Sequence, residues 1–155
     1  MYPRRMSTLF IDADACPVTR EAISVGRRHK REVVLVANST QNLERYAGRT
    51  GVEAIQVSGG RDAADFAVIE QLSPGDTVVT QDIGLAAMAL GRGAGAISPR
   101  GRIFHLATID AEMAVRHAEQ RFRRAGGRTG GPSKFTEEDR DHFVEQLERL
   151  LTQDR

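Results

Sequence analysis

The chain has 155 residues, 40% of them hydrophobic, and a formal net charge of +1. That length carries one domain with a full core, the composition excludes a disordered chain, and the near-neutral balance supplies no global basic field for holding nucleic acid. A single cysteine, Cys16, excludes an internal disulfide and a thiolate-based structural zinc site.

No apolar run approaches the ~20 residues of a membrane span, and no hydrophobic signal segment follows the basic residues between Met1 and Met6, so the chain is expected to avoid membranes and stay in the cytoplasm. Of the 22 basic residues only Lys30 and Lys134 are lysines. An arginine skew suits bidentate phosphate contacts and follows equally well from codon usage.

Residues 1–6 read as a disordered lead-in. Thr8 to Asp12 is a buried strand, and Pro17 to Lys30 an amphipathic helix with Val18, Ala22, Ile23 and Val25 on one face. The continuous apolar run Val33 to Ala37 predicts a second strand covered on both faces. Asn38 to Gln41 reads as a turn, Leu43 to Arg49 as a short helix and Val52 to Val57 as a third strand. Gly59-Gly60-Arg61-Asp62 opens a helix patterned Asp62, Asp65, Phe66, Ile69, Leu72. Asp76 to Thr80 is a fourth strand, Ile83 to Leu90 a largely buried helix, and Ala96 to Ser98 a short last strand. Strand and helix alternate throughout, which predicts a three-layer, Rossmann-like α/β domain over residues 7–125, with a central parallel sheet of about five strands and the first strand in the middle.

Beyond it, Gly101 to Leu106 is expected to be extended. Thr108 to Arg124 is expected to be a helix with Met113, Ala114, His117 and Phe122 spaced for packing. Residues 126–135 form a Gly-rich hinge, and 136–155 an amphipathic helix in which Thr136 and Asp139 make an Asp version of the capping box. Its stripe of Phe143, Leu147 and Leu150 is too apolar to stay solvated, and is expected to dock on the sheet or on a second copy of the chain, giving a homo-oligomer.

Acids recur at one edge of this arrangement. Asp12 and Asp14 follow the first strand, Asp62 and Asp65 share the first turn of the third helix, and Asp82 follows the fourth strand. Ligands of open parallel sheets sit outside the carboxyl ends of the strands. Crowded carboxylates raise one another's pKa unless a cation compensates, and an oxygen-only cluster is what Mg²⁺ or Mn²⁺ prefers. Each acid also has an ordinary explanation as an N-cap, turn or first-turn residue. Gly59 and Gly60 ahead of a helix offer backbone N–H groups to a phosphate, with Arg61 beside them; a plain tight turn is the alternative.

Four segments, Asp12-Ala13-Asp14-Ala15-Cys16-Pro17-Val18, Gly59-Gly60-Arg61-Asp62-x-x-Asp65, Thr80-Gln81-Asp82-Ile83-Gly84-Leu85-Ala86 and Thr129-Gly130-Gly131-Pro132, resemble the YaiI/YqxD family of bacterial proteins. That family looks like the PIN and NYN nuclease superfamily, in which acids after the first and fourth strands build a metal site that cuts RNA. The resemblance implies a PIN-like fold, RNA as partner, a metal site of Asp12, Asp62, Asp65 and Asp82 with Asp14 at its margin, and Asp12 and Asp82 as the catalytic acids.

Two other readings stay open. Asp12-x-Asp14 after a strand also fits a haloacid-dehalogenase-like phosphatase with Asp12 as nucleophile, Asp14 as general acid, and Asp76 and Asp82 as distal metal acids. A non-catalytic RNA-binding or regulatory domain of the same fold is the third. Cys16 is expected to pack rather than react. His29 and His142 are expected to face solvent, and His105 and His117 to be core residues. The Arg121, Arg123, Arg124, Arg128 cluster reads equally as an RNA contact or a solvated helix end.

Overall fold

The computed structural model describes residues 7–46, 48–60, 62–131 and 133–153. The lead-in 1–6, Arg61 and Pro132, all singled out above, lie outside the described residues. Five strands, β1 (Thr8–Asp12), β2 (Glu32–Ala37), β3 (Val52–Gln56), β4 (Thr77–Val79) and β5 (Gly95–Ile97), form one parallel sheet in the order β3-β2-β1-β4-β5. The expected α/β architecture, strand number and central first strand are therefore all present. Six helices complete the chain: α1 (Thr19–Arg28), α2 (Thr40–Glu44), α3 (Ala63–Gln71), α4 (Ile83–Gly91), α5 (Leu106–Arg124) and α6 (Glu137–Gln153).

Period-two alternation assigns the sheet residues to two cores. Leu9, Ile11, Val33, Leu35, Val79 and Ile97 pack with α1 and α6 on one face. Phe10, Val34, Val36 and Val78 pack with Ala64, Val68, Leu85 and Ala89 of α3 and α4 on the other. β1 and β2 serve both layers, which is why their sequences are apolar without alternation.

The α6 stripe seats on its own sheet, with Phe143, Leu147 and Leu151 fully buried in the first core. The capping box is formed: Thr136 N–H donates to Asp139 Oδ2 at 2.9 Å and Asp139 N–H to Thr136 Oγ1 at 3.2 Å. This docking corrects the expectation for His29. The end of α6 covers its ring, which is held by Glu148 Oε2 at 2.5 Å with 10% of the side chain exposed.

Other expectations fail where a helix lacks a partner. α5 buries only Ile109, so His105, Ala114, His117 and Phe122 are exposed rather than core. Phe66 on α3 is likewise exposed, at 66%. α2 begins at Thr40 rather than Leu43 because Asp14 holds the preceding Asn38 and Ser39 N–H groups, fixing the chain where the helix starts. Residues 101–106 add a single antiparallel bridge, Ile103 to Ile97. Among the described residues no helix is long and apolar enough to cross a membrane.

Candidate functional site

In the order β3-β2-β1-β4-β5 the chain winds one way from β1 and the other way from β4, so the crevice of this sheet lies at the carboxyl ends of these two neighbours. Ile11 pairs with Val79 in the register, which sets Asp12 beside Thr80 one residue further on. Ile11 and Val79 face the α1/α6 core, so by alternation Asp12 and Thr80 turn to the other face, where α3 and α4 begin. Thr80 is buried, and its hydroxyl donates to Asp12 Oδ2 at 3.0 Å while accepting from the Asp82 N–H at 3.0 Å.

Asp82 caps α4: its Oδ1 accepts from Gly84 N–H at 2.8 Å and Leu85 N–H at 3.2 Å. Asp62 occupies the corresponding position before α3, yet its side chain makes no capping bond. Asp65, in the first turn of α3, stands close enough to feel Asp82, Asp12 and Asp62. Burial, then the charge of Asp82 and the hydrogen bond shared with it, push the Asp65 pKa up to about 7. Burial raises Asp12 to about 6 against the Thr80 hydrogen bond, with the charges of Asp14 and Asp82 adding to the rise. The structure thus brings Asp12, Asp62, Asp65 and Asp82 into one electrostatic neighbourhood. Among the described residues none of the four forms an ion pair.

Asp14 belongs to a different arrangement. Its carboxylate accepts from Asn38 N–H at 2.7 Å, Asn42 Nδ2 at 2.9 Å and Ser39 N–H at 3.4 Å, tying the loop after β1 to the loop after β2. Burial alone would raise its pKa, but these bonds, led by Asn38, hold it below the ordinary carboxylate value. Gln81 makes a second tie, donating to the Ala15 carbonyl at 3.1 Å, where Ala15 itself sits at φ 57°. Gly59 and Gly60 both adopt φ 107°, a conformation that requires glycine, and both are exposed ahead of α3. The Cys16 thiol is pushed up by burial and by the charges of Asp12 and Glu21, as a packing residue would be. Asp76 lies at the other end of β4, fully buried, accepting from Thr8 N–H and Ser73 N–H at 2.8 Å each.

The acid cluster is oxygen-only, which suits a hard cation, and such a cation would displace the protons that Asp12 and Asp65 retain. Among the described residues, however, no three carboxylate, histidine or cysteine side chains already stand where one ion would be held. Nothing in the residue order assigns Thr80, Asn38, Asn42 or Gln81 an acid or loop as partner; only the strand register shows Thr80 beside Asp12.

The profile of the family described as "Uncharacterized BCR, YaiI/YqxD family" matches residues 10–153. The chain belongs to the YaiI/YqxD family. Among its relatives, a "UPF0178 protein" of Exiguobacterium sibiricum is 43% identical over 94% of this chain and 96% of its own. Others from Brucella ovis and Brucella suis are each 46% identical over 92% of this chain and 88% of theirs. No solved structure matches the chain. Matches of this extent take in every YaiI/YqxD segment described above, from β1 to α6.

Proposed function

We propose that this YaiI/YqxD protein is a cytoplasmic, divalent-metal-dependent nuclease that hydrolyses RNA phosphodiesters at the acid cluster. The observation that carries the reading is the crowding of Asp12, Asp65 and Asp82 at the switch point of the sheet, where two of them keep protons to about 6 and about 7 with no ion-paired cation among the described residues. Structural carboxylates are ordinarily paired or solvated, and strongly perturbed ones in a cleft are functional-site candidates.

Asp12, Asp65 and Asp82 would hold Mg²⁺ or Mn²⁺, with Asp62 at the rim; the ion would supply a hydroxide nucleophile and offset charge on the phosphodiester. The chain's own residues prepare this. Thr80 fixes the rotamer of Asp12, the cap on α4 fixes Asp82, and the Asp14 and Gln81 ties hold the loops around them. Gly59 and Gly60 leave backbone open beside the site for a phosphate oxygen.

Asp14 and Asp76 argue against the phosphatase alternative. A general acid must be protonated near neutrality, and Asp14 is held ionised by three donors; Asp76 is at the opposite edge of the sheet from Asp12. One observation favours the non-catalytic RNA-binding reading instead: among the described residues no three carboxylate, histidine or cysteine side chains are drawn together as they stand.

A cleavage assay on single-stranded RNA with Mn²⁺ or Mg²⁺, together with calorimetric titration of the ion, decides between them. The nuclease reading expects metal binding and cleavage, both lost in Asp12→Asn and Asp82→Asn. Neither binding nor cleavage by the wild-type chain would leave the binding-domain reading.

A further inference from the structure

We infer that the arginines on the outer face of α1 and after α2 form a track for a single-stranded polynucleotide that ends beside the acid cluster. Its destination rests on the nuclease reading; its binding does not. Arg20, Arg27 and Arg28 are seven and eight residues apart on α1, so they share one face over about 10–12 Å. With Arg49 they line a shallow basin of about 550 Å³ whose walls, among the described residues, contain no acid. A second basin, about 290 Å³, shares Arg20 and Arg49, adds Arg45 and Tyr46, and reaches Pro17. Pro17 leads from the carboxyl end of β1 into α1, and its neighbour Cys16 feels the charge of Asp12, so the second basin reaches the sheet edge that carries the acids from its α1 side.

Part of the charge along this path is uncompensated. Arg28 pairs with Glu148, and Glu21, the acid in the second basin, stands 3.8 Å from Arg20 and 2.9 Å from Arg140 Nη1. Arg27, Arg45 and Arg49 are exposed and, among the described residues, have no ion pair. The Arg49 guanidinium is steadied over the Tyr46 ring at 5.1 Å. Arg20, Arg27, Arg28, Arg45 and Arg49 gather on this flank while the acids gather at the adjoining sheet edge. That division of charge fits a substrate whose backbone is held by arginine and whose reacting phosphate meets a cation held by acids. α1 is sunk between the sheet and α6, so it projects no element into a duplex groove; concave basins of phosphate-binding arginines suit a single strand.

The test is fluorescence anisotropy of a labelled oligouridylate of about 12 nucleotides, without metal, between about 50 and 200 mM salt. Replacing Arg27→Gln with Arg49→Gln should weaken binding about 10-fold or more and lower the slope of log K against log salt by about 1.4, two phosphate contacts on a single strand. Removing equal charge from α5 by Arg116→Gln with Arg124→Gln should change neither. Equal losses from both pairs, or none from the α1 pair, would overturn the track. So would loss of binding to phosphatidylserine vesicles with oligonucleotide binding intact, which assigns these arginines to a membrane surface. Asp12→Asn should bind the oligonucleotide as the wild type does. A chain that binds through Arg27 and Arg49 but never cleaves with metal supports the track and refutes the nuclease; one that cleaves with unchanged KM in the α1 variant refutes the track alone.

Discussion

The Thr80 hydroxyl and the Asp12 carboxylate meet at 3.0 Å, and the same hydroxyl accepts from the Asp82 N–H, so one side chain links the acids that end β1 and follow β4. Its single proton is committed to Asp12, which leaves the oxygen free to accept. Thr80→Val keeps the shape and removes both bonds. The Asp82 N–H then loses its partner, and Asp12 loses the hydrogen bond that opposes its burial. The variant should be about 1–3 kcal/mol less stable in urea, and Asp12 should titrate above its wild-type value of about 6 by NMR.

The acid cluster makes stability depend on pH in an unusual direction. Asp12 and Asp65 keep their protons in the folded chain to about 6 and about 7, whereas the unfolded chain loses them near 3.8. The folded state therefore binds more protons across that window, and the stability these groups give is complete below 3.8 and lost as pH rises through the folded values. In EDTA the melting temperature should fall between about pH 4 and 7. Asp12→Asn, whose amide oxygen still accepts from Thr80, should flatten the fall and gain up to about 3 kcal/mol near neutrality. If the cluster holds Mg²⁺ or Mn²⁺, adding the ion should raise the wild-type melting temperature most at the high end of this window and leave the variant unmoved.

Asp14 should behave in the opposite sense. Its pKa is depressed, so its contribution is present above 3.8 and disappears as pH falls through the lower folded value. Asp14→Ala frees the Asn38 and Ser39 N–H groups and loosens the start of α2, at a cost of about 1 kcal/mol. Metal-dependent cleavage of RNA, if present, should keep its pH profile in this variant. A profile that lost its alkaline limb would restore Asp14 as a general acid and with it the phosphatase reading.

The contrast between α1 and α5 shows what the sequence can and cannot disclose. Val33 to Val36 can only be covered on both faces, and the apolar positions of α1 can only face the sheet beside it, so those elements and the central place of β1 are readable from residue order. Spacing on α5 announces a face without naming its partner; beyond Ile109 the structure supplies none, and His117 and Phe122 stay exposed. Phe66 fails for the same reason. The edge carrying the acids follows from strand direction alone, so Asp12, Asp62, Asp65 and Asp82 were legible together. Their separation from Asp14 was not, because it depends on Asn38, Ser39 and Asn42, which come from the neighbouring β2–α2 connection and are invisible as partners until β1 and β2 are aligned.

α6 completes the first core, and its removal should unfold the chain rather than release a stable sheet domain. Phe143, Leu147 and Leu151 are exposed by 0%, 0% and 1%, against Leu9, Ile11 and the apolar face of α1. Burial of each contributes roughly 1.5–3 kcal/mol, together comparable to the whole stability of a domain this size. Glu148 adds an ion pair to Arg28 and the bond to His29, and Gly101 lets α6 approach the loop after β5. Gly101 sits at φ +90°, and a Cβ there would meet the His142 carbonyl carbon and oxygen at 2.9 Å, so Gly101→Ala must displace the helix. Phe143→Ala should cost about 3–5 kcal/mol and Gly101→Ala about 1–3 kcal/mol in denaturant titrations. Truncation after Gly126 should give a chain that aggregates or lacks a cooperative melt. A monomeric truncated chain with an unchanged melting temperature would show that α6 docks without stabilising the sheet.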